Sequence, residues 1–73
     1  MKLLLSSRIA GNFEGFDGDR VFQFDNGQVW QQAEYKYRYR YRYRPRTKIW
    51  QKSGAHYIDV DGMDQMVRVR RLR

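Results

Sequence analysis

The chain contains no cysteine, one histidine and one proline among its 73 residues. Without cysteine it has neither a disulfide nor a thiolate zinc site, and a single histidine excludes a site with paired histidine ligands. No apolar run reaches the roughly 7–15 residues of a secretory signal or the about 20 residues of a membrane span. We therefore expect a cytoplasmic protein with no metal, no cofactor and no membrane association.

Signatures of catalysis are equally scarce. Ser6, Ser7 and Ser53 have no glycine-flanked nucleophile elbow around them, and His56 stands alone beside a predicted turn. No phosphate-binding loop or dinucleotide-binding glycine motif occurs. The sequence therefore favours a binding protein over an enzyme.

The length of 73 residues predicts one domain spanning residues 1–73. Aromatic residues make up 16% of the chain, which is typical of a folded protein and not of a disordered one. A domain this small buries only about 60% of the surface that its unfolded chain exposes, and such domains often gain stability by oligomerisation. We expect a homo-oligomer.

Charge is distributed unevenly along the chain. Residues 1–34 carry three basic and five acidic side chains, whereas residues 35–73 carry twelve basic and three acidic ones. The net charge of the whole chain is +7. This asymmetry indicates either an anionic partner, such as a nucleic acid or an acidic protein, or contact between the acidic half of one copy and the basic half of another.

Two β-hairpins are predicted from their turns. In the first, strands at about 20–25 and 28–34 flank Asn26-Gly27, a pair that suits a two-residue turn because both residues tolerate positive φ. In the second, Ser53-Gly54 separates two β-branched and aromatic runs.

Short strands separated by turns at nearly regular spacing predict an all-β fold. Glycines 11, 15 and 18 indicate an earlier strand that bends or bulges, and residues 61–64 indicate a further turn. Residues 1–7 fit either a short helical turn or a frayed strand. We predict a small SH3-like barrel of five or six antiparallel strands, one of them long and bent, since closure removes unpaired edges.

The segment from residue 35 to residue 44 alternates tyrosine with a cation at every position. Period-two alternation predicts a strand with all rings on one face and all charges on the other. At about 3.3 Å per residue, ten residues would span roughly 33 Å, so this strand must bend. Pro45 is expected to end it, because proline cannot donate to a ladder.

Two interpretations of this segment stay open. In the first, the tyrosines pack in the core and at an interface, while the arginines are a solvated outer face or pair with Glu14, Asp17 and Asp19 of the same or another copy. In the second, the arginines contact phosphates and the tyrosines stack on bases of a nucleic acid, with further cations from Arg68, Arg70, Arg71 and Arg73. The second interpretation has to reconcile ligands that lie on opposite faces of one strand.

Residues 13–50 resemble a family of small uncharacterised bacterial proteins, some of which are encoded by integron gene cassettes. The resemblance lies in Phe13-Glu14-Gly15-Phe16, Gly18, the run from Asn26 to Gln32, and alternate tyrosines up to Pro45. It implies a small β-barrel that self-associates and has no established biochemical activity. The nearly unbroken arginine series between the tyrosines is a departure from the pattern of similar proteins.

The leading prediction is a non-enzymatic interaction module that self-associates, and the alternative is a nucleic-acid-binding protein. Trp30 and Trp50 are expected to pack in the core, or to line a ligand groove if they are exposed. The predicted binding and interface residues are Tyr35, Tyr37, Arg38, Tyr39, Arg40, Tyr41, Arg42, Tyr43, Arg44, Arg46, Trp30 and Trp50.

Overall fold

The computed structural model describes residues 1–73 and contains eight antiparallel β-strands. The all-β prediction is confirmed. In chain order the strands are β1 (Lys2–Arg8), β2 (Asn12–Phe16), β3 (Val21–Gln23), β4 (Val29–Gln32), β5 (Arg38–Tyr43), β6 (Arg46–Lys52), β7 (Ala55–Val60) and β8 (Val67–Arg71). Six strands form one sheet in the order β1-β6-β7-β8-β4-β3, and β2 pairs with β5 in a separate ribbon. No helix is long and apolar enough to cross a lipid bilayer.

The core lies on the inner face of the six-stranded sheet. Buried residues stand two apart in β6, β7 and β8, as expected where one face of a strand packs inside and the other faces solvent. The buried apolar residues are Ile9, Phe13, Phe16, Phe22, Phe24, Trp30, Ile49, Ile58, Val60, Val67 and Val69.

Three phenylalanines attach the β2–β5 ribbon to the rest of the core. The ring of Phe16 lies edge-on to Phe13 at 5.5 Å and to Phe22 of β3 at 5.9 Å, and the centroids of Phe13 and Phe22 are 6.1 Å apart. Aromatic pairs at such distances and angles contribute about 0.5–1.5 kcal/mol beyond the area that they bury. The ribbon is therefore held on its β2 side.

The strand predicted over residues 35–44 is shorter in the structure, because β5 covers only Arg38–Tyr43, and β6 follows it in the other sheet. Arg44 has a positive φ of 48° and Pro45 is buried, so the chain bends between the two strands. The N–H of Arg44 donates to the carbonyl of Gly11 at 2.8 Å, and the N–H of Ile9 donates to that of Pro45 at 3.2 Å. The prediction that the tyrosine–arginine strand ends at Pro45 is confirmed.

The predicted barrel closure and the predicted number of five or six strands are wrong. The edge strands β1 and β3 meet only at an isolated bridge between Ile9 and Phe24, flanked by backbone hydrogen bonds from Ala10 to Gln23 and from Asp25 to Arg8. Because β3 has only three residues, it cannot continue a ladder along the seven residues of β1.

The first residues of the chain form a strand and not a helical turn. Strand β1 pairs with β6 from Lys2 to Arg8, with a register shift between Leu3 and Leu5. Leu3 and Leu4 are 45% and 42% exposed, so the ladder to β6, more than burial, holds this segment in place.

Both predicted hairpins are confirmed, but the two-residue turn predicted at Asn26-Gly27 is not formed. Lys52 pairs with Ala55 across Ser53 and Gly54, whose φ values of 52° and 81° are those of a two-residue turn. In the first hairpin, Gln23 pairs with Val29, and only Gly27 has positive φ. That connection is a longer loop in which glycine alone takes the left-handed conformation.

Candidate interaction surfaces

The tyrosines and arginines of β5 lie on opposite faces, and the register with β2 shows which face is which. Arg42 is directly opposite Phe13, and Arg38 is directly opposite Phe16. Directly opposite residues of an antiparallel pair project to the same side, and both phenylalanines are buried. The arginines of β5 therefore face the body of the molecule, and its tyrosines project away from it.

We call Tyr39, Tyr41 and Tyr43 the tyrosine face. Their exposed fractions are 68%, 54% and 69%, and Tyr35 and Tyr37, which lead into β5, are 76% and 70% exposed. The expectation that tyrosines of this segment pack in the core is wrong. The Tyr41 hydroxyl donates to Asn12 Oδ1 at 2.9 Å, which ties the middle of the face to β2.

The arginines of the segment remain partly exposed to solvent, and three of them pair with carboxylates of the same chain. Arg38 lies 3.3 Å from Asp64, and Arg42 lies 3.9 Å from Asp61; both carboxylates belong to the turn between β7 and β8. Arg44 pairs with Asp25.

The carboxylates predicted to pair with these arginines have a different partner within the chain. Glu14 and Asp17 lie 3.9 Å and 3.2 Å from Arg20, and Asp19 forms no salt bridge. Arg40 also forms none, so it is the one arginine between residues 38 and 44 with no carboxylate partner.

The turn at Asp61 and Asp64 fits closely beneath the ribbon. A Cβ atom placed on Gly62, which has φ of +93°, would lie 2.9 Å from Cζ of Arg42. The turn that carries both carboxylates therefore lies against the guanidinium end of the Arg42 side chain.

The two tryptophans have different environments. Trp30 is 3% exposed, donates from Nε1 to Gln28 Oε1 at 2.9 Å and packs against the ring of His56 at 5.2 Å, as expected for a core residue. Trp50 lies on the outer side of β6, only partly buried, and donates from Nε1 to Asp59 Oδ2 at 3.2 Å. The core prediction is right for Trp30 and wrong for Trp50.

The outer face of the six-stranded sheet combines aromatic and basic side chains. Trp50 is directly opposite Tyr57, which is directly opposite Arg68, so the three side chains share this face. Alternation along β6 and β8 adds the remaining cations to it. We call this set the basic sheet face: Arg46, Lys48, Trp50, Lys52, Tyr57, Arg68 and Arg70.

A polar cleft of about 690 Å³ opens beside the basic sheet face. Its lining contains no hydrophobic residue and consists of Ser6, Ser7, Arg8, Asp25, Arg46, Thr47, Lys48, Asp59 and Asp61. Asp25 and Asp61 already pair with Arg44 and Arg42. No three histidine or carboxylate side chains come together as metal ligands anywhere in the chain.

No family model, curated protein or solved structure matches this chain. The resemblance of residues 13–50 to the integron-cassette family therefore stays a prediction. Geometry and charge carry the functional proposals below.

Sequence reasoning missed two groups of residues. The first is the set of carboxylates that pair with the arginines of residues 38–44, namely Asp25, Asp61 and Asp64. The sequence holds no signal for these pairs, because the contacts join segments far apart in the chain. The second is formed by Lys48, Lys52 and Tyr57 of the basic sheet face. The sequence shows that the four outward residues of β6 stand two apart and so share one face. It does not show that β7 is the neighbouring strand and brings Tyr57 to that face.

Proposed function

We propose that this protein is a non-enzymatic interaction module that self-associates through its tyrosine face. The observation that supports the proposal is the exposure of the three tyrosines of this face, between 54% and 69%, on a ribbon whose arginines face the other way. Tyr35 and Tyr37, in the segment that leads into the ribbon, are also exposed. Tyrosine is enriched in protein interfaces, whereas lysine, glutamate and aspartate are depleted there.

The area of this surface suits a small dimer interface. An aromatic side chain buries about 150–250 Å² when fully covered, so the three tyrosines of this face offer roughly 300–500 Å² at their exposures. Tyr35 and Tyr37, if they join the contact, raise this to roughly 500–800 Å². A standard interface buries about 800 Å² on each partner. Tyrosine has only two χ angles, so covering it costs little side-chain entropy.

The proposed contact joins two faces and not two strand edges. No strand pairs with the second edge of β5, so edge pairing is the obvious alternative. In a two-fold antiparallel edge pair, however, residues of the same parity lie opposite one another, and each arginine would face an arginine. Like charges directly opposite one another are destabilising, and cations on an edge oppose such pairing.

Net charge sets the expected salt dependence of self-association. Each copy carries +7, so two copies repel one another, and added salt screens this repulsion. The tyrosine contact itself is uncharged. Dimerisation should therefore strengthen as salt is raised, which is the opposite of what binding to phosphates would show.

The test is light scattering coupled to size-exclusion chromatography, with sedimentation equilibrium for the dissociation constant. We expect a dimer at micromolar concentration, and we expect the Tyr39→Thr/Tyr43→Thr variant to dissociate at least about 100-fold more readily, since central interface tyrosines often contribute 2 kcal/mol or more each. Threonine preserves strand propensity. The matched control is Tyr57→Thr, on the other surface, which should stay a dimer.

A monomeric wild-type protein at about 100 micromolar, a concentration at which weak complexes still form, would contradict the proposal. Equal dissociation of the Tyr57→Thr control would place the contact on the sheet and not on the ribbon. Both outcomes are read from the molar masses that light scattering gives for the wild-type protein and for the Tyr57→Thr variant.

The alternative prediction, a nucleic acid held by the tyrosine–arginine strand itself, fits this geometry poorly. Stacking rings and phosphate-binding cations have to line one groove, but Arg38, Arg42 and Arg44 lie behind the tyrosines and already pair with carboxylates. An acidic protein partner of the tyrosine face meets the same obstacle.

A further inference from the structure

We propose that the basic sheet face is a binding site for single-stranded nucleic acid. This surface is separate from the tyrosine face, and its function is independent of self-association. It brings together, on one side of one sheet, the two kinds of side chain that such ligands need: flat rings for bases and cations for phosphates.

Cross-strand register places two aromatic side chains at neighbouring positions. Trp50 of β6 and Tyr57 of β7 are directly opposite one another, and both are partly exposed. Opposite residues in an antiparallel pair have Cβ atoms about 4.5–5.5 Å apart, so both side chains leave the same face close together, and we call this pair the aromatic platform. Asp59 holds the indole through its Nε1 hydrogen bond, so the platform is oriented before any ligand arrives.

Cations surround this platform, and none is neutralised. Arg46, Lys48 and Lys52 alternate along β6, while Arg68 and Arg70 lie on β8, and all five are exposed. No salt bridge involves any of them. Lys48 Nζ lies 6.0 Å from the centre of the Trp50 ring, at the limit of a cation–π contact.

Asp59, directly opposite Lys48, is the only carboxylate among the outward-facing residues of β6, β7 and β8. At the margin of the face, Glu34 accepts a hydrogen bond from the Arg68 N–H. Asp25 and Asp61 line the adjoining cleft. The five cations of the face still outnumber its carboxylates, and this excess attracts a polyanion. The arginines between residues 38 and 44 differ from these unpaired cations, because three of the four already pair with carboxylates.

A shallow depression next to the platform suits one unstacked base. It has a volume of about 470 Å³ and is lined by Met1, Lys36, Lys52, Tyr57, Gln65 and Met66. Tyr57 supplies a ring at its wall, and Lys36 and Lys52 supply cations for a neighbouring phosphate. A base stacked on an aromatic ring gains about 1–3 kcal/mol irrespective of its identity.

The geometry favours a single strand over a duplex. Stacking requires a base whose face is free, and in a duplex both faces of each base are covered by neighbouring pairs. Direct reading of a duplex needs an element that enters the major groove, and the broad outer face of a sheet offers none. The surface therefore fits a strand laid across β6, β7 and β8.

The experiment measures binding of a fluorescein-labelled oligonucleotide of about 12 nucleotides by anisotropy, as a function of salt. We expect affinity to fall with salt at a slope of about −0.7 per phosphate contact, and a duplex of equal length to bind at least about tenfold more weakly. Absence of binding at about 0.05 M salt would overturn the proposal.

Two matched charge variants locate the site. Lys48→Gln/Lys52→Gln should weaken binding about tenfold or more and lower the magnitude of the salt slope by about 1.4. Arg40→Gln/Arg71→Gln removes the same charge from outside the face, since Arg71 is directly opposite the buried Trp30, and should change affinity less than about threefold. Equal weakening by both variants would mean charge attraction without a site, and would refute the proposal.

Tyrosine variants separate this proposal from self-association. Tyr57→Thr should weaken oligonucleotide binding about tenfold with an unchanged salt slope, while Tyr39→Thr/Tyr43→Thr should leave affinity for the short oligonucleotide as it was. The reverse result would move the nucleic-acid site to the tyrosine face and overturn the inference. Circular dichroism confirms that each variant is folded, and light scattering reports dimerisation separately.

Discussion

A glycine in β2 lets two backbones approach closely where the strand bulges against β5. Gly15 has φ of +103°, and a Cβ atom placed on it would lie 2.9 Å from the backbone nitrogen of Arg40 and 3.0 Å from the carbonyl carbon of Arg38. Real Cβ atoms almost never approach backbone this closely. The register shift between Phe13 and Gly15 depends on this residue, and so does the position of the tyrosine face.

Replacement of this residue should weaken the whole domain. We expect Gly15→Ala to lower the free energy of unfolding by about 3 kcal/mol, because overpacking adds to the strain of positive φ. Gly27→Ala is the matched control: φ there is +92°, but nothing lies within 4 Å of the added Cβ, so only about 1 kcal/mol should be lost. Urea unfolding measures both, and equal losses would show that the close approach is unimportant.

At the scale of single residues, the sequence predicted that rings and charges lie on opposite faces of the strand, but it did not show which set faces the core. The tyrosines and arginines were expected on opposite faces, and Arg42 opposite Phe13 confirms that they are. The first of the two interpretations placed the rings in the core, and they lie outside. The carboxylates of Asp61 and Asp64 lie on the other side of β5, where they pair with Arg42 and Arg38.

At the scale of elements, turns were the most predictable part of the fold. Ser53-Gly54 was predicted as a turn because it separates two β-branched and aromatic runs, and in the structure both residues have positive φ, as a two-residue turn needs. Asn26-Gly27 carries the stronger signal for that turn and forms a longer loop instead, with Gly27 alone at positive φ. The pairing of Gln23 with Val29, imposed by the packing of Phe22 and Trp30, overrides the local preference.

The second hairpin can be stabilised through its turn. Ser53 has φ of 52°, and asparagine tolerates the left-handed region better than serine, so Ser53→Asn should raise the free energy of unfolding by about 0.5 kcal/mol. Ser53→Thr should lower it, because a β-branched residue resists positive φ. Thermal unfolding of both variants provides the check, and stabilisation by threonine would refute this account of the turn.

At the scale of the whole molecule, fifteen basic side chains face eight acidic ones, and five salt bridges are formed. All five lie between partly exposed side chains, where such pairs contribute little, about 0–1 kcal/mol each. The remaining cations repel one another across a molecule whose longest dimension is 30 Å. Self-repulsion therefore outweighs attraction.

This balance predicts how salt affects stability. Raising sodium chloride from about 0.01 M to about 0.3 M shortens the Debye length from about 30 Å to under 10 Å, and should raise the free energy of unfolding by on the order of 1 kcal/mol. The Lys48→Gln/Lys52→Gln variant, with a smaller net charge, should gain less. A stability that falls with salt would mean that the ion pairs dominate.

The linear pattern was sufficient for strand character, for the two hairpins, for the break at Pro45 and for the sorting of rings from charges, because each depends on neighbours along the chain. It was insufficient for the sheet order, the open edge between β1 and β3, and the outward direction of the tyrosines. These depend on which distant segments meet: the Asp61–Asp64 turn beneath β5, and Tyr57 beside Trp50. Contacts across tens of residues leave no local trace, so only the folded chain reveals its two surfaces.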